Sequence, residues 1–242
     1  RGAAHVGMLQ FMQELEIPVH LIVGTSAGAI VGSLLAADNP PDTILEVFRK
    51  IRLFDYSRFT WAKPGLLDAD SFEDLLRPYF KEDDFSTLHK NLRIVSANLL
   101  EGEIRVINEG PIIRPVLASA AYPGLFSPIR LQDGLYVDGG IFNNFPADLI
   151  REECDVLIGM NVNPISEVHE KELHGTWQVM MRVMELTFQQ KDAAKGRLCD
   201  LYLEPKSILP YSIFDTLAVD DVVEIGYEEA KKHREAFLKL MD

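Results

Sequence analysis

Apolar residues recur at helical intervals over residues 3–14, with Val6, Leu9 and Met12 marking successive turns before Ile17-Pro18 closes the segment. The short apolar run 20–23 predicts a buried strand. It leads into the tight turn Gly24-Thr25-Ser26-Ala27-Gly28 and a small-residue helix over 29–37. Asp38-Asn39-Pro40-Pro41 breaks the chain, and Pro41 suits the first position of a helix reaching about residue 51. Residues 52–68 lose periodicity while carrying Phe54, Tyr56, Phe59 and Trp61, so they read as an irregular insertion. Ser71, with Asp74 three residues on, is placed to cap a helix whose stripe is Phe72, Leu75, Leu76, Tyr79 and Phe80.

Residues 92–99 and 103–108, separated by Glu101-Gly102, predict a β-hairpin. An apolar helix follows over 111–121, and Pro123, Gly124 and Pro128 break the chain behind it. A short strand at 135–137 runs into Asp138-Gly139-Gly140. The remaining pattern predicts a strand at 155–162, a helix at 174–197, a strand at 200–203 and an amphipathic helix at 220–241. The helix at 174–197 carries Trp177, Met180, Met181, Met184 and Phe188, and its spacing favours core packing over a lid or an acyl-chain wall. For the aromatic segment 54–61 the two readings stand level. Strands alternating with helices, without repeats or low-complexity linkers, predict one α/β layered domain over 1–242 with a mostly parallel central sheet.

Composition narrows the function. A chain of 242 residues, 47% hydrophobic and 25% charged, is not disordered and can bury a sizeable core. A formal charge of −13 argues against a nucleic-acid partner and against electrostatic docking on anionic lipid. It leaves hydrophobic contact with a lipid surface open. Cys154 and Cys199 cannot build a disulfide framework or a Cys-rich zinc site, and they fit a reducing, cytoplasmic compartment. No apolar run approaches the ~20 residues of a membrane span, and no signal-peptide pattern or Asn-x-Ser/Thr site points to secretion. Nothing in the sequence requires an oligomer.

The candidate chemistry starts at Gly24-Thr25-Ser26-Ala27-Gly28, a G-x-S-x-G between a predicted strand and a predicted helix. A nucleophilic serine needs a sharp strand-to-helix turn, and side chains at 24 or 28 are expected to collide with the flanking elements. The following helix start offers free backbone N–H groups and a positive dipole end. The alternative is a Gly-flanked turn whose serine only caps a helix. A serine hydroxyl also needs a base. His5, His20, His89, His169, His174 and His233 all lack the loop context of a triad histidine, and packed or solvated roles fit them better. Asp138, at a strand end before two glycines, is the better candidate, against the plainer reading of a turn Asp with glycines at positive φ. An Asp with an ordinary pKa of ~3.9 is a weak base, so such a dyad needs a dry site and a strong oxyanion hole.

Four segments in this order resemble the patatin-like phospholipases. They are Arg1-Gly2-Ala3-Ala4-His5-Val6-Gly7, the G-x-S-x-G, the stretch from Ser119-Ala120-Ala121-Tyr122-Pro123 through Phe126-Ser127-Pro128, and Asp138-Gly139-Gly140. The resemblance covers residues 1–150 and looks nearest to compact bacterial members related to neuropathy-target-esterase domains. It implies a three-layer α/β/α sandwich with Ser26 as nucleophile and Asp138 as general base and then acid. Arg1 and Gly2 would belong to the oxyanion loop, and Gly24, Gly28, Gly139 and Gly140 would be the motif glycines. No cofactor or metal is implied. The implied partner is a lipid or ester substrate, with peripheral membrane contact. In that family further glycines come before the basic residue, so the resemblance also implies a strand and glycines ahead of Arg1. A nucleotide-binding module is disfavoured by the lack of Gly-Lys-Ser/Thr and G-x-G-x-x-G. A silent lipid-binding scaffold of the same fold is the other alternative.

Overall fold

A computed structural model describes residues 1–58, 69–189, 192–212 and 217–241. Helix α1 (Ala4–Glu14) precedes strand β1 (Leu21–Thr25), helix α2 (Ala27–Ala36) and helix α3 (Pro41–Arg58). Helix α4 (Ala69–Leu76) leads to the hairpin β2 (Asn91–Asn98) and β3 (Glu103–Ile107), and then to α5 (Ile113–Ser119). A second hairpin, β4 (Ile129–Leu131) and β5 (Gly134–Asp138), is followed by the short α6 (Gly140–Asn143). The remainder comprises β6 (Ile158–Met160), α7 (Thr176–Gln189), α8 (Asp192–Lys195), β7 (Leu201–Leu203), α9 (Val219–Lys232) and α10 (Arg234–Lys239). Among the described residues no helix is long and apolar enough to cross a membrane.

The architecture is α/β, but the sheet is mixed rather than mostly parallel. β1 pairs with β2 in parallel, while β3 and β5 pair with β2, and β4 with β5, all antiparallel. The cause is the connections. β4 and β5 are joined by two residues and β2 and β3 by four, and such short links admit only antiparallel neighbours. β6 and β7 form a separate parallel pair.

The register of β2 matters most. β3 covers Ile94 to Asn98 of β2, β1 covers Asn91 to Val95, and β5 covers Ser96 to Asn98. A strand has two edges, and β3 shares β2 residues with both others. β1 and β5 therefore lie on one edge, approaching each other from opposite directions. Their C-terminal ends meet at β2, Thr25 opposite Val95 and Asp138 opposite Ser96.

Helices α2 and α5 pack against this sheet and each other, and Leu34, Ile113, Val116, Ile94 and Tyr136 are buried in one core cluster. α1 lies against α9 at very close range: a Cβ on Gly7 would stand 2.0 Å from the Val223 carbonyl oxygen, and one on Gly226 would stand 1.9 Å from that of Ala4. Phe11 locks the crossing, edge-on to Tyr227 and Phe237.

Several boundaries differ from expectation. Residues 52–58 continue α3, while 59–68, with Phe59 and Trp61, lie outside the described residues. Ser71 sits inside α4 rather than capping it. The helix expected at 174–197 is seen as α7 and α8 on either side of residues 190–191, which lie outside the described residues, and that at 220–241 breaks at His233. α7 is not core: residues 176–180 are all exposed.

Candidate active site

Ser26 occupies the turn between β1 and α2 with φ 54° and ψ −123°, a backbone state that costs a non-glycine residue on the order of 1–3 kcal/mol. The tight approach around it holds it there. A Cβ on Gly24 would lie 2.4 Å from the Gly28 carbonyl oxygen, so only glycine fits at 24. The Ser26 carbonyl accepts from the N–H groups of Ala29 and Ile30 at 2.9 and 3.2 Å, starting α2. Its own N–H donates to Ser119 Oγ at 2.9 Å, and that hydroxyl donates to the Val95 carbonyl at 2.6 Å. Ser119 thus braces the strained turn against the middle of β2.

Asp138 ends β5 and is buried. Its N–H donates to the Ala121 carbonyl at 3.0 Å, and the Gly140 N–H donates to its Oδ1 at 2.8 Å. The Ser26 side chain lies close enough to the carboxylate to favour its charged form. Burial pushes Asp138 up to about 6, outweighing the opposite pull of the Ser26 side chain and the Gly140 N–H. Gly139 and Gly140 do not supply positive φ. Gly139 is needed for close approach, because a Cβ there would stand 2.2 Å from the Val95 carbonyl oxygen.

The meeting of the two strand ends therefore brings Ser26 and Asp138 together. They open onto a cavity of about 970 Å³ whose walls include His5, Tyr122, Phe126 and Glu185. Burial holds His5 down at about 4, so its imidazole is neutral at physiological pH. It lies beside Gly28, but the side chain that the Ser26 hydroxyl influences is Asp138. Burial, followed by the neighbouring Asp138 charge, pushes Tyr122 up to about 12.

Gly2 packs directly on Ala27, since a Cβ added at Gly2 would be 2.2 Å from that of Ala27. The turn leading into α1 thus lies against the first residue of α2, next to Ser26. Arg1 points elsewhere, its Nε donating to the Tyr211 carbonyl at 2.7 Å. The expected collision at position 28 is absent, because a Cβ there meets only His5 Nε2 at 3.9 Å. Gly24→Ala is therefore expected to lower unfolding free energy by about 3 kcal/mol or more, and Gly28→Ala by less than about 1 kcal/mol. Paired urea titrations check this contrast.

Sequence reasoning missed two supports. One is Ser119 as a brace, hidden in a stretch that reads as apolar helix. The other is Asn143, whose carbonyl accepts from Thr25 Oγ1 at 2.9 Å, and whose side chain is held by Asp148 and Lys195. The pair Asn143-Asn144, set between Phe142 and Phe145 shortly after Asp138-Gly139-Gly140, was the available signal.

A family model described as "Patatin-like phospholipase" matches residues 1–150. The chain is 31% identical over 198 residues to "Patatin-like phospholipase domain-containing protein ZK370.4" of Caenorhabditis elegans, covering 76% of this chain and 14% of that protein. It is 26% identical over 196 residues to "Lysophospholipase NTE1" of Candida glabrata, covering 75% and 11%. It is 26% identical over 266 residues to "Patatin-like phospholipase domain-containing protein 7" of Rattus norvegicus, covering 94% and 19%. The chain thus spans a quarter or less of the length of these relatives. Among solved structures, VipD from Legionella pneumophila superposes with a TM-score of 0.51 at 16% identity, over 96% of this chain and 64% of that one, which is a likeness of fold.

Proposed function

The chain belongs to the patatin-like phospholipase family, and from that premise we propose that it is a serine acyl hydrolase of lipid or carboxylic esters, working through Ser26 and Asp138. The observation that carries this reading is the meeting of a strained, turn-borne serine and a buried carboxylate with a pKa near 6 at two facing strand ends on one cavity. That argument is electrostatic: burial makes Asp138 a far better base than a solvated Asp, close to the range in which general bases work.

In the proposed cycle, Ser26 Oγ attacks the ester carbonyl carbon while Asp138 accepts the hydroxyl proton. The oxyanion is received by backbone N–H groups at the start of α2 and the Arg1–Gly2 turn. The intermediate collapses, and the leaving alkoxide takes the proton from Asp138, leaving an acyl group on Ser26. Asp138 then takes a proton from water as its oxygen attacks the acyl carbon. Release of the fatty or carboxylic acid returns that proton to Ser26. No step calls for a metal or organic cofactor. The unbridged thiols Cys154 and Cys199 support a cytoplasmic place of work.

The test is labelling of the full-length protein with a fluorophosphonate probe, read by intact mass and peptide mapping, with Asp138→Ala alongside. One adduct on Ser26, sharply reduced in the variant, is the expected result. A folded protein that leaves Ser26 unlabelled would replace this reading with the silent lipid-binding scaffold. The pH dependence is a second check. Because Asp138 must be ionised to accept a proton, kcat/KM is expected to rise with pH and level off above about 6. A profile flat from pH 4.5 to 8 would exclude Asp138 as the base, those limits being rough bounds around its pKa.

A further inference from the structure

Beside the cavity lies an apolar surface that the catalytic reading does not use. On α7, Trp177, Val179, Met180, Val183 and Leu186 are 41% to 56% exposed. Helical spacing sets Val179, Val183 and Leu186 in one line along the outer face. The charged residues of α7 do not interrupt it: Arg182 and Glu185 are partly buried and paired at 2.7 Å, and Arg182 also donates to the Ser166 carbonyl. The apolar surface continues off the helix. Leu99 and Leu100, in the turn between β2 and β3, are 48% and 66% exposed, and Phe142 is exposed on α6, which packs against α7. Leu99, Met184 and Thr187 line one groove with Phe126, and Phe126 is also a wall of the catalytic cavity. Trp177 fixes the helix to this rim by packing over Gly124.

We propose that this face seats the protein on an uncharged lipid–water interface, with α7 lying in the interface plane and the catalytic cavity opening at its edge. The inference rests on the lipid-hydrolase reading above and names the physical form of its substrate. Charge selects the occupant. The outer line of α7 offers no lysine or arginine to an anionic headgroup, and a chain of net charge −13 is repelled by an anionic surface. A second copy would bring two such charges together. Exposed aliphatic residues beside a tryptophan suit the boundary between headgroups and acyl chains. Continuity with the cavity through Phe126 makes the covering material and the substrate the same lipid.

The experiment uses the full-length protein, phosphatidylcholine vesicles, and a short-chain, fully soluble p-nitrophenyl ester. Wild type is expected to float with the vesicles. The double variant Val183→Glu/Leu186→Glu is expected to lose about tenfold or more in vesicle partitioning while keeping soluble-ester turnover within about twofold. Leu238→Glu, an exposed apolar position on α10, is the control and is expected to float as wild type. Equal flotation of wild type and double variant overturns the proposal, as does wild type that turns over the soluble ester without floating. A change from dimer to monomer in the double variant, seen by light scattering, would assign the face to a second copy. Flotation without any ester turnover would retain the docking surface and remove the hydrolase reading instead.

Discussion

Asp138→Asn is expected to abolish most ester turnover and, at the same time, to make the protein more stable. The loss comes from removing the carboxylate proposed to take the Ser26 proton, and is of the order of 10³- to 10⁴-fold in kcat. The gain has the opposite origin. In the folded chain Asp138 has a pKa of about 6, against 3.8 for the unburied group. The folded state therefore binds this proton more tightly than the unfolded state. Folding stability falls as pH rises between those two values, and the penalty is complete above the higher one. Two pH units correspond to roughly 3 kcal/mol, as an order of magnitude. Asn keeps an oxygen to accept from the Gly140 N–H and never ionises. Its advantage in Tm should be largest at pH 7 to 8 and vanish near pH 4, in keeping with the ~3.9 of an unperturbed Asp. Calorimetry of both proteins at those pH values checks it. A variant no more stable than wild type at pH 8 would mean that the carboxylate is not desolvated as described.

Gly226→Leu is expected to be the most destabilising change away from the site. The Cβ alone would lie 1.9 Å from the Ala4 carbonyl oxygen, and backbone cannot swing aside as a flexible side chain does. α1 and α9 would have to separate, uncovering Phe11, Met12 and Val223. A loss of at least about 3 kcal/mol follows, against a few tenths for Glu224→Leu on the exposed face of the same helix. Urea midpoints of the two variants give the comparison. Because α1 carries Gly2 to Ala27, any Gly226→Leu protein that does fold should also label poorly at Ser26.

The sequence was most informative where local chemistry decides structure. The turn at Ser26 is legible because the close approach at Gly24 excludes every other residue, and the Asp138-Gly139-Gly140 stretch is legible because Gly139 touches β2. Strand direction was not legible. β4 is three residues, Ile129 to Leu131, too short to show alternation, so its hairpin with β5 was hidden and the sheet read as mostly parallel. The role of α7 was hidden for a different reason. A stripe of Trp and Met looks the same in a sequence whether a core or a lipid covers it, and only the fold shows which face is left open. Ser119 shows the limit for single residues: its value lies in being within reach of Ser26 and Val95 at once, and those three positions are brought together only by the sheet.

The dependence of α1 on α9 also has a meaning in time. A chain emerging from the ribosome exposes Ser26 and, much later, Asp138, but Gly7 and Ala4 have no surface to close on until residues 219–232 are made. The packing of α1 is thus completed after Ser26 and Asp138 already exist. A polypeptide released early carries Ser26 and Asp138 without the helix that packs α1 in place, so the proposed hydrolase is expected to stay inactive until synthesis has passed α9.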